Sequence, residues 1–381
     1  MHEWHPLLAR LEHGWQAGLR IKLVAATSEE EIGLMIFRWK EWANSFTIIS
    51  MPRKTPSKIQ YRGNCRIFAN RFAGTAGGWV FNARGAAAVV VLLLLLTPRT
   101  AHAWTPGTHV FLGDAVLRSL SMLPGSIAEL LEAFPYDFLY GSIAADTSIA
   151  KKYAEAGRHC HSWKVGFEIH DFASGGRMRA FALGYLAHLA ADSVAHNYFV
   201  PKQLTLTSST SSLGHSYWES RIETQLGGDS PHRARELVLL DHSRADEHLD
   251  RILSPTIFST HTNRRIFRGM VYVTDTESWQ RVFQLISEKS RWDLRNDEVS
   301  AYMTRSYDFI MDLFTRMDES DPYALDPSGD VALRNAKRIR RLALRRGGEL
   351  TIRDEADREF GMPETSLDFH DKLGGPIFPV E

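Results

Sequence analysis

The chain has 381 residues, with 45 basic and 45 acidic side chains, sixteen histidines and two cysteines. That length holds one large or two ordinary domains. The even charge excludes a protein that gathers nucleic acid or an anionic membrane by global attraction, and Cys65 and Cys160 cannot build a disulfide framework.

Taken in order, residues 84–103 read as an export signal. Arg84 precedes the apolar run Ala86–Leu96, which is too short to span a bilayer comfortably, and Ala101-His-Ala103 is a small-residue cleavage pattern. Residues 1–83 then read as an extension from an over-extended gene start. The alternative makes them cytoplasmic and the apolar run an uncleaved membrane anchor. Cleavage after Ala103 would leave Trp104 at the new terminus, remove Cys65 and keep Cys160 as an unpaired thiol.

Thr108 is expected to cap a helix through Leu120, and Ser126-Ile-Ala-Glu129 to open another through a capping box. Asp146 ends an apolar run. A helix is expected over Ala150–Ala156, and His159-Cys-His161-Ser-Trp163 leads into one that ends at Gly175-Gly176. A long helix follows from near Arg177, stopped by Pro201. Thr205–Ser212 should be the loop that turns it back. Beyond Gly227-Gly228, helical periodicity runs to about Met317. A turn-rich break over Asp318–Asp330, a basic helix over Ala332–Arg346 and a polar tail over Gly347–Glu381 complete the chain. Alternating strand patterns are nearly absent, so the fold class is all-α, with a helical domain over 104–317 and the basic helix and tail over 318–381.

His188, Asp192 and His196 stand at i, i+4 and i+8, along one stripe of a helix otherwise made of Ala, Leu, Val and aromatics. Three ionisable groups on a buried helix are costly unless paired, neutralised or metal-bound. His188 and His196 are ~12 Å apart along the axis, too far to share one ion. Two or more neighbouring metals fit, with Asp192 able to bridge. An isolated His-xxx-Asp pair is more often a buried helix whose histidines bond to carbonyls. Here His215 and Glu219 supply a second i, i+4 pair, and the combined nitrogen and oxygen donors suit zinc. His242-xxx-Asp246 repeats the spacing among charged neighbours and reads as a solvated, salt-bridged face. Lys337–Arg346 could meet phosphate or lipid head groups, and reads first as solvated surface.

The ordered set Trp104, His109, Asp146, His161, His188/Asp192/His196 and His215/Glu219 resembles the bacterial zinc-dependent phospholipase C family, from Trp104 to about Arg221. Relatives of that family include single-strand-specific zinc nucleases and the catalytic domain of glycosylphosphatidylinositol-specific phospholipase D. The resemblance implies a helical domain holding a cluster of two or three Zn2+ ions between its helices. One ion would take Asp146, His161, His188 and Asp192. A second would take His196, His215 and Glu219. A third would take the free amino group and carbonyl of Trp104 with His109 and Asp192. His161 is preferred over His159 because Trp163 closely follows it. The family's chemistry implies a metal-activated water attacking phosphorus, with Asp146 orienting or deprotonating it. The spacing of Asp192 and His196, and Thr108-His109-Val, resemble the phospholipase D branch, so either phosphoester bond remains open. The expected protein is periplasmic or secreted, acts on phospholipid or another phosphodiester with contact at a membrane surface, and has no stable nucleic-acid partner. A single-strand nuclease and a non-catalytic zinc-binding protein are the alternatives.

Overall fold

Two glycines decide the central crossing of the fold. The computed structural model describes residues 104–148, 158–207, 211–227, 229–256, 258–290, 292–373 and 377, all within one compact unit of the chain. The readings of residues 1–83 and 84–103 and of a helix at 150–156 lie outside them. Helix α1 spans Pro106–Leu117, α2 Gly125–Ala133, α3 Pro135–Ala144, α4 Trp163–Asp171 and α5 Gly176–Val194. A β-carbon on Gly141 would stand 2.0 Å from the Phe181 carbonyl oxygen, and one on Gly184 would stand 2.0 Å from that of Phe138. Only bare α-carbons let the backbones of α3 and α5 touch there. The contact brings the end of α3, where Asp146 sits in a short 3-10 turn, against the middle of α5.

Helix α5 is buried all round from Ala180 to Val194, which is why its sequence has no polar face. It passes into a π-helical turn over Ala195–Phe199 and continues as α6, Val200–Thr207. Pro201 therefore does not stop the helix, contrary to the sequence expectation. The wider turn before it carries the break: the Val200 N–H reaches back to Ala195 O, and Pro201 enters at the start of a new segment. For the same reason the expected loop at Thr205–Ser212 is still helical through Thr207. Helix α7 follows over Ser211–Glu223.

The remaining elements are α8 Asp229–Val238, α9 Ser243–Ile252, α10 Thr260–Thr274, α11 Glu277–Glu288, α12 Asn296–Arg316, α13 Asp330–Arg346 and α14 Glu349–Phe360. Among the described residues there is no strand, and the all-α class holds. Three local readings need correction. Thr105, not Thr108, caps α1, because its side chain accepts from the Thr108 N–H and Pro106 occupies the first turn. Ser126 makes no capping box, since α2 begins at Gly125 behind Pro124. The polar tail contains α14, whose Ile352, Ala356 and Phe360 are buried against α6 and α13.

Candidate metal centre

The i, i+4, i+8 stripe of α5 does its work because each residue meets a different element. His188 Nδ1 lies 2.8 Å from Ser142 O, delivered by the glycine crossing. A carbonyl only accepts, so Nδ1 carries the hydrogen and Nε2 turns to the interior. There it stands 3.0 Å from His161 Nε2 and 3.1 Å from Asp192 Oδ2, and the His161 to Asp192 Oδ2 distance is 2.9 Å. Three donor atoms thus form a nearly equilateral triangle. A point ~1 Å off its plane is ~2.0 Å from each corner, the distance zinc makes to nitrogen and oxygen. Asp146 Oδ1 adds a fourth donor, 3.4 Å from His161 Nε2 and 4.0 Å from His188 Nε2.

Asp192 faces two ways. Its Oδ1 stands 3.3 Å from His109 Nε2, and the His109 ring stacks on His188 with centroids 3.9 Å apart. His109 also groups with Asp146 and His188 within 4.8 Å, so it borders both sets. Burial would raise the Asp192 carboxyl, but His188, His109 and His161 outweigh it and hold it well below the usual range. His109 is pushed down to about 4 by burial first and by neighbouring His188. His109, Asp146, His161, His188 and Asp192 are all buried.

His196 starts the second group on the π turn. Its Nδ1 donates to Pro327 O at 2.6 Å, and burial holds its pKa well below the ordinary value. The ring is therefore neutral with a bare Nε2, and that atom has no hydrogen-bond partner among the described residues. His196, His215 and Glu219 offer donor atoms within 4.8 Å of one another, with His215 Nε2 2.7 Å from Glu219 Oε1. A buried, neutral nitrogen lone pair beside a second imidazole and a carboxylate can hold a cation. The donor set fits zinc.

Trp104 is fully buried, and its indole donates to Ala191 O at 3.0 Å, one residue before Asp192. His159 lies outside the triangle. Its Nδ1 accepts the His161 N–H at 3.0 Å, and among the described residues it groups with Cys160 and His161. Cys160 Sγ lies 3.2 Å from His161 Nδ1.

Several supporting residues escaped the sequence reading. Glu223, one turn beyond Glu219 on α7, accepts from Thr105 Oγ1 at 2.6 Å and from the Gly107 N–H at 3.1 Å. It ties the start of α1 to the helix bearing His215. Burial pushes its carboxyl up to about 7. Its i+8 spacing from His215 was a signal in the sequence. A strap over residues 325–330 was not signalled at all. Leu325 O accepts from the Trp163 indole at 2.9 Å, Asp326 O from Asn197 Nδ2 at 2.8 Å, and Pro327 O from His196. Gly329 sits at φ +59, where a β-carbon would come within 2.4 Å of His196 Cβ. The strap, with His159, His161, Trp163 and Lys164, lines a cavity of about 330 Å³ beside the triangle.

His242 stands apart from these groups. Its Nε2 donates to Leu237 O at 2.8 Å and its ring stacks on Tyr140 at 3.5 Å. It is buried, which corrects the solvated face expected for it, while Asp246 serves Tyr140, Arg264 and Arg268.

Residues 108–266 match the family model described as zinc dependent phospholipase C. The match takes in every grouped donor above from His109 to Glu219, and leaves out Trp104 and the strap. No curated protein and no solved structure matches the chain.

Proposed function

Because residues 108–266 belong to the zinc-dependent phospholipase C family, we propose that the chain is an exported phosphodiesterase hydrolysing phospholipid phosphoester bonds. The observation that carries the reading is the bare, buried Nε2 of His196 beside His215 and Glu219. The His161, His188 and Asp192 triangle supports it.

Asp146, His161, His188 and Asp192 would hold one ion, and His196, His215 and Glu219 another. Trp104 and His109 would complete a third site with Asp192. When bound, zinc supplies a water that ionises near neutral pH and positive charge for the phosphate oxygens. The protein's own part is orientation and proton transfer. Ser142 O and Pro327 O fix the hydrogens of His188 and His196 on Nδ1, which keeps both Nε2 atoms as donors. The two oxygens of Asp192 serve different neighbours and hold the groups in register. Asp146, at the edge of the triangle, would orient the attacking water or take its proton. Lys164 on the cavity wall offers a cation to the phosphate, and Trp163 with the strap forms the facing part of that wall.

Export follows from the 84–103 reading, with cleavage before Trp104 freeing the amine that its metal role requires. No helix among the described residues is long and apolar enough to cross a membrane.

The test is metal analysis of the mature protein followed by assay on phosphatidylcholine and single-stranded DNA. Two or three zinc ions with release of phosphocholine or of phosphatidate are expected, and the product decides which bond is cut. Hydrolysis of DNA alone would favour a nuclease. Bound zinc without hydrolysis of either substrate would make the chain a zinc-holding protein.

A further inference from the structure

The basic helix that the metal centre leaves unused has a definite outer face. On α13, Arg334, Arg338, Arg341 and Arg345 recur at spacings of four, three and four, so they form one stripe, and all four are exposed. Val331 and Leu342 flank that stripe on one side and Leu344 on the other, 60%, 39% and 52% exposed. The opposite face, with Ala336, Ile339 and Ala343, is buried. Among the described residues Arg338, Arg341 and Arg345 make no ion pair, and Arg334 has only an exposed contact with Asp330 at 3.5 Å. Three acids of adjacent α14 are engaged elsewhere: Asp357 with Lys202, and Glu355 and Glu359 with Arg358. The amino end of α13 is also the lip of the cavity, which Ser328 and Asp330 line.

We propose that this outer face of α13 docks on a membrane surface carrying anionic lipid head groups. Arginines suit phosphate, and leucine and valine beside them suit the boundary between head groups and acyl chains. Nucleic acid would use the charge but not the apolar flanks. A helix of 17 residues, about 25 Å long, lies in the interface with its first turn beside the cavity mouth. The proposal rests on the phospholipid reading of the site, because docking there presents the substrate's own surface to the mouth.

The test is flotation of the full chain with phosphatidylcholine vesicles made with and without phosphatidylglycerol, a readout that needs no turnover. Wild type should bind the anionic vesicles in a salt-sensitive way. Each arginine near such a surface is worth roughly a fivefold gain in partitioning, so Arg338→Gln/Arg341→Gln/Arg345→Gln should bind about 100-fold more weakly. Arg251→Gln, exposed on α9, should bind like wild type. Leu342→Ser/Leu344→Ser, which keeps the charges, should weaken the part of the binding that survives high salt. The arginine variant should hydrolyse monomeric short-chain phosphatidylcholine at the wild-type rate. Vesicle binding lost in the variant while neither protein hydrolyses lipid would support the docking face and overturn the catalytic reading. Equal vesicle binding by wild type and the arginine variant, or stripe-dependent retention of single-stranded DNA in place of vesicles, would overturn the docking face.

Discussion

Substituting Gly329 by alanine probes how strictly the strap governs His196. The added carbon would stand 2.4 Å from His196 Cβ and 2.5 Å from its carbonyl oxygen, in a backbone conformation at φ +59. Carbon contacts relax to about 3.5 Å or more, so strap and ring must part by roughly 1 Å. The Pro327 O to His196 Nδ1 bond, now 2.6 Å, would stretch to about 3.6 Å and cease to be a hydrogen bond. His196 then loses the partner that keeps Nδ1 protonated and Nε2 bare. Loss of such a partner typically costs about 10–100-fold in metal affinity, and the left-handed conformation adds roughly 1–2 kcal/mol of destabilisation. The assay is competition with a graded chelator, read as zinc per chain, beside thermal melting of the same sample. One class of zinc should be released at about 10–100-fold lower chelator concentration while the rest is retained. Asn197→Ala, which removes the Nδ2 bonds to Asp326 O and Ser193 O but leaves Pro327 O on His196, should move the same class by a smaller amount. A folded Gly329→Ala protein with unchanged zinc release would refute the reasoning.

Asp192→Asn should lose more zinc than any other single substitution, because its two oxygens face different groups; full occupancy by metal analysis would sink the shared-ligand arrangement. His242→Ala should leave zinc content unchanged yet lower stability by about 1–3 kcal/mol in a denaturant titration, since it removes a buried ring stacked on Tyr140 and one of the two donors to Leu237 O. Glu223 carries a pH signature. Its carboxyl sits at about 7 in the fold against 4.5 free, so the folded state holds the extra proton, and stability falls as pH rises from about 4.5 to 7. Glu223→Gln mimics the protonated form and should remove roughly 3 kcal/mol of that slope from metal-free protein; parallel pH curves for wild type and variant would count against it. Mass spectrometry of exported protein should find Trp104 at the amino terminus, and uncut chain should bind one zinc fewer. A different terminus, or equal zinc in both forms, would reject a role for its amine.

The α5 stripe was legible because helical periodicity fixes which residues share a face, and a run of Ala, Leu and Val around His188, Asp192 and His196 marks burial. His215 and Glu219 were legible on the same ground. The passage through Pro201 was not, because a π turn depends on one backbone register shift that no residue pattern announces. Nor was the strap. Pro327 lies 131 residues from His196, and its contribution is a carbonyl oxygen, which every residue type possesses. Helix α14 was misjudged for a related reason: its apolar residues are few, and their partners on α6 and α13 are supplied by the tertiary fold. His242 shows the reverse error, since charged neighbours suggested solvent where a flat ring on Tyr140 seals it in.

The crossing at Gly141 and Gly184 bears on which element the centre can hold. It brings Ser142 O to His188 and so sets the span between the end of α3 and the middle of α5. With backbones already in contact, that span is a fixed gauge. Calcium asks for six to eight oxygens at about 2.3–2.6 Å, whereas the donors gathered here are imidazole nitrogens beside a few carboxylates, a mixture that suits zinc with four donors at about 2.0 Å. The two glycines, without meeting any ligand themselves, hold the imidazole of His188 against the carbonyl that orients it, and a methyl group at either position would pull that pair apart.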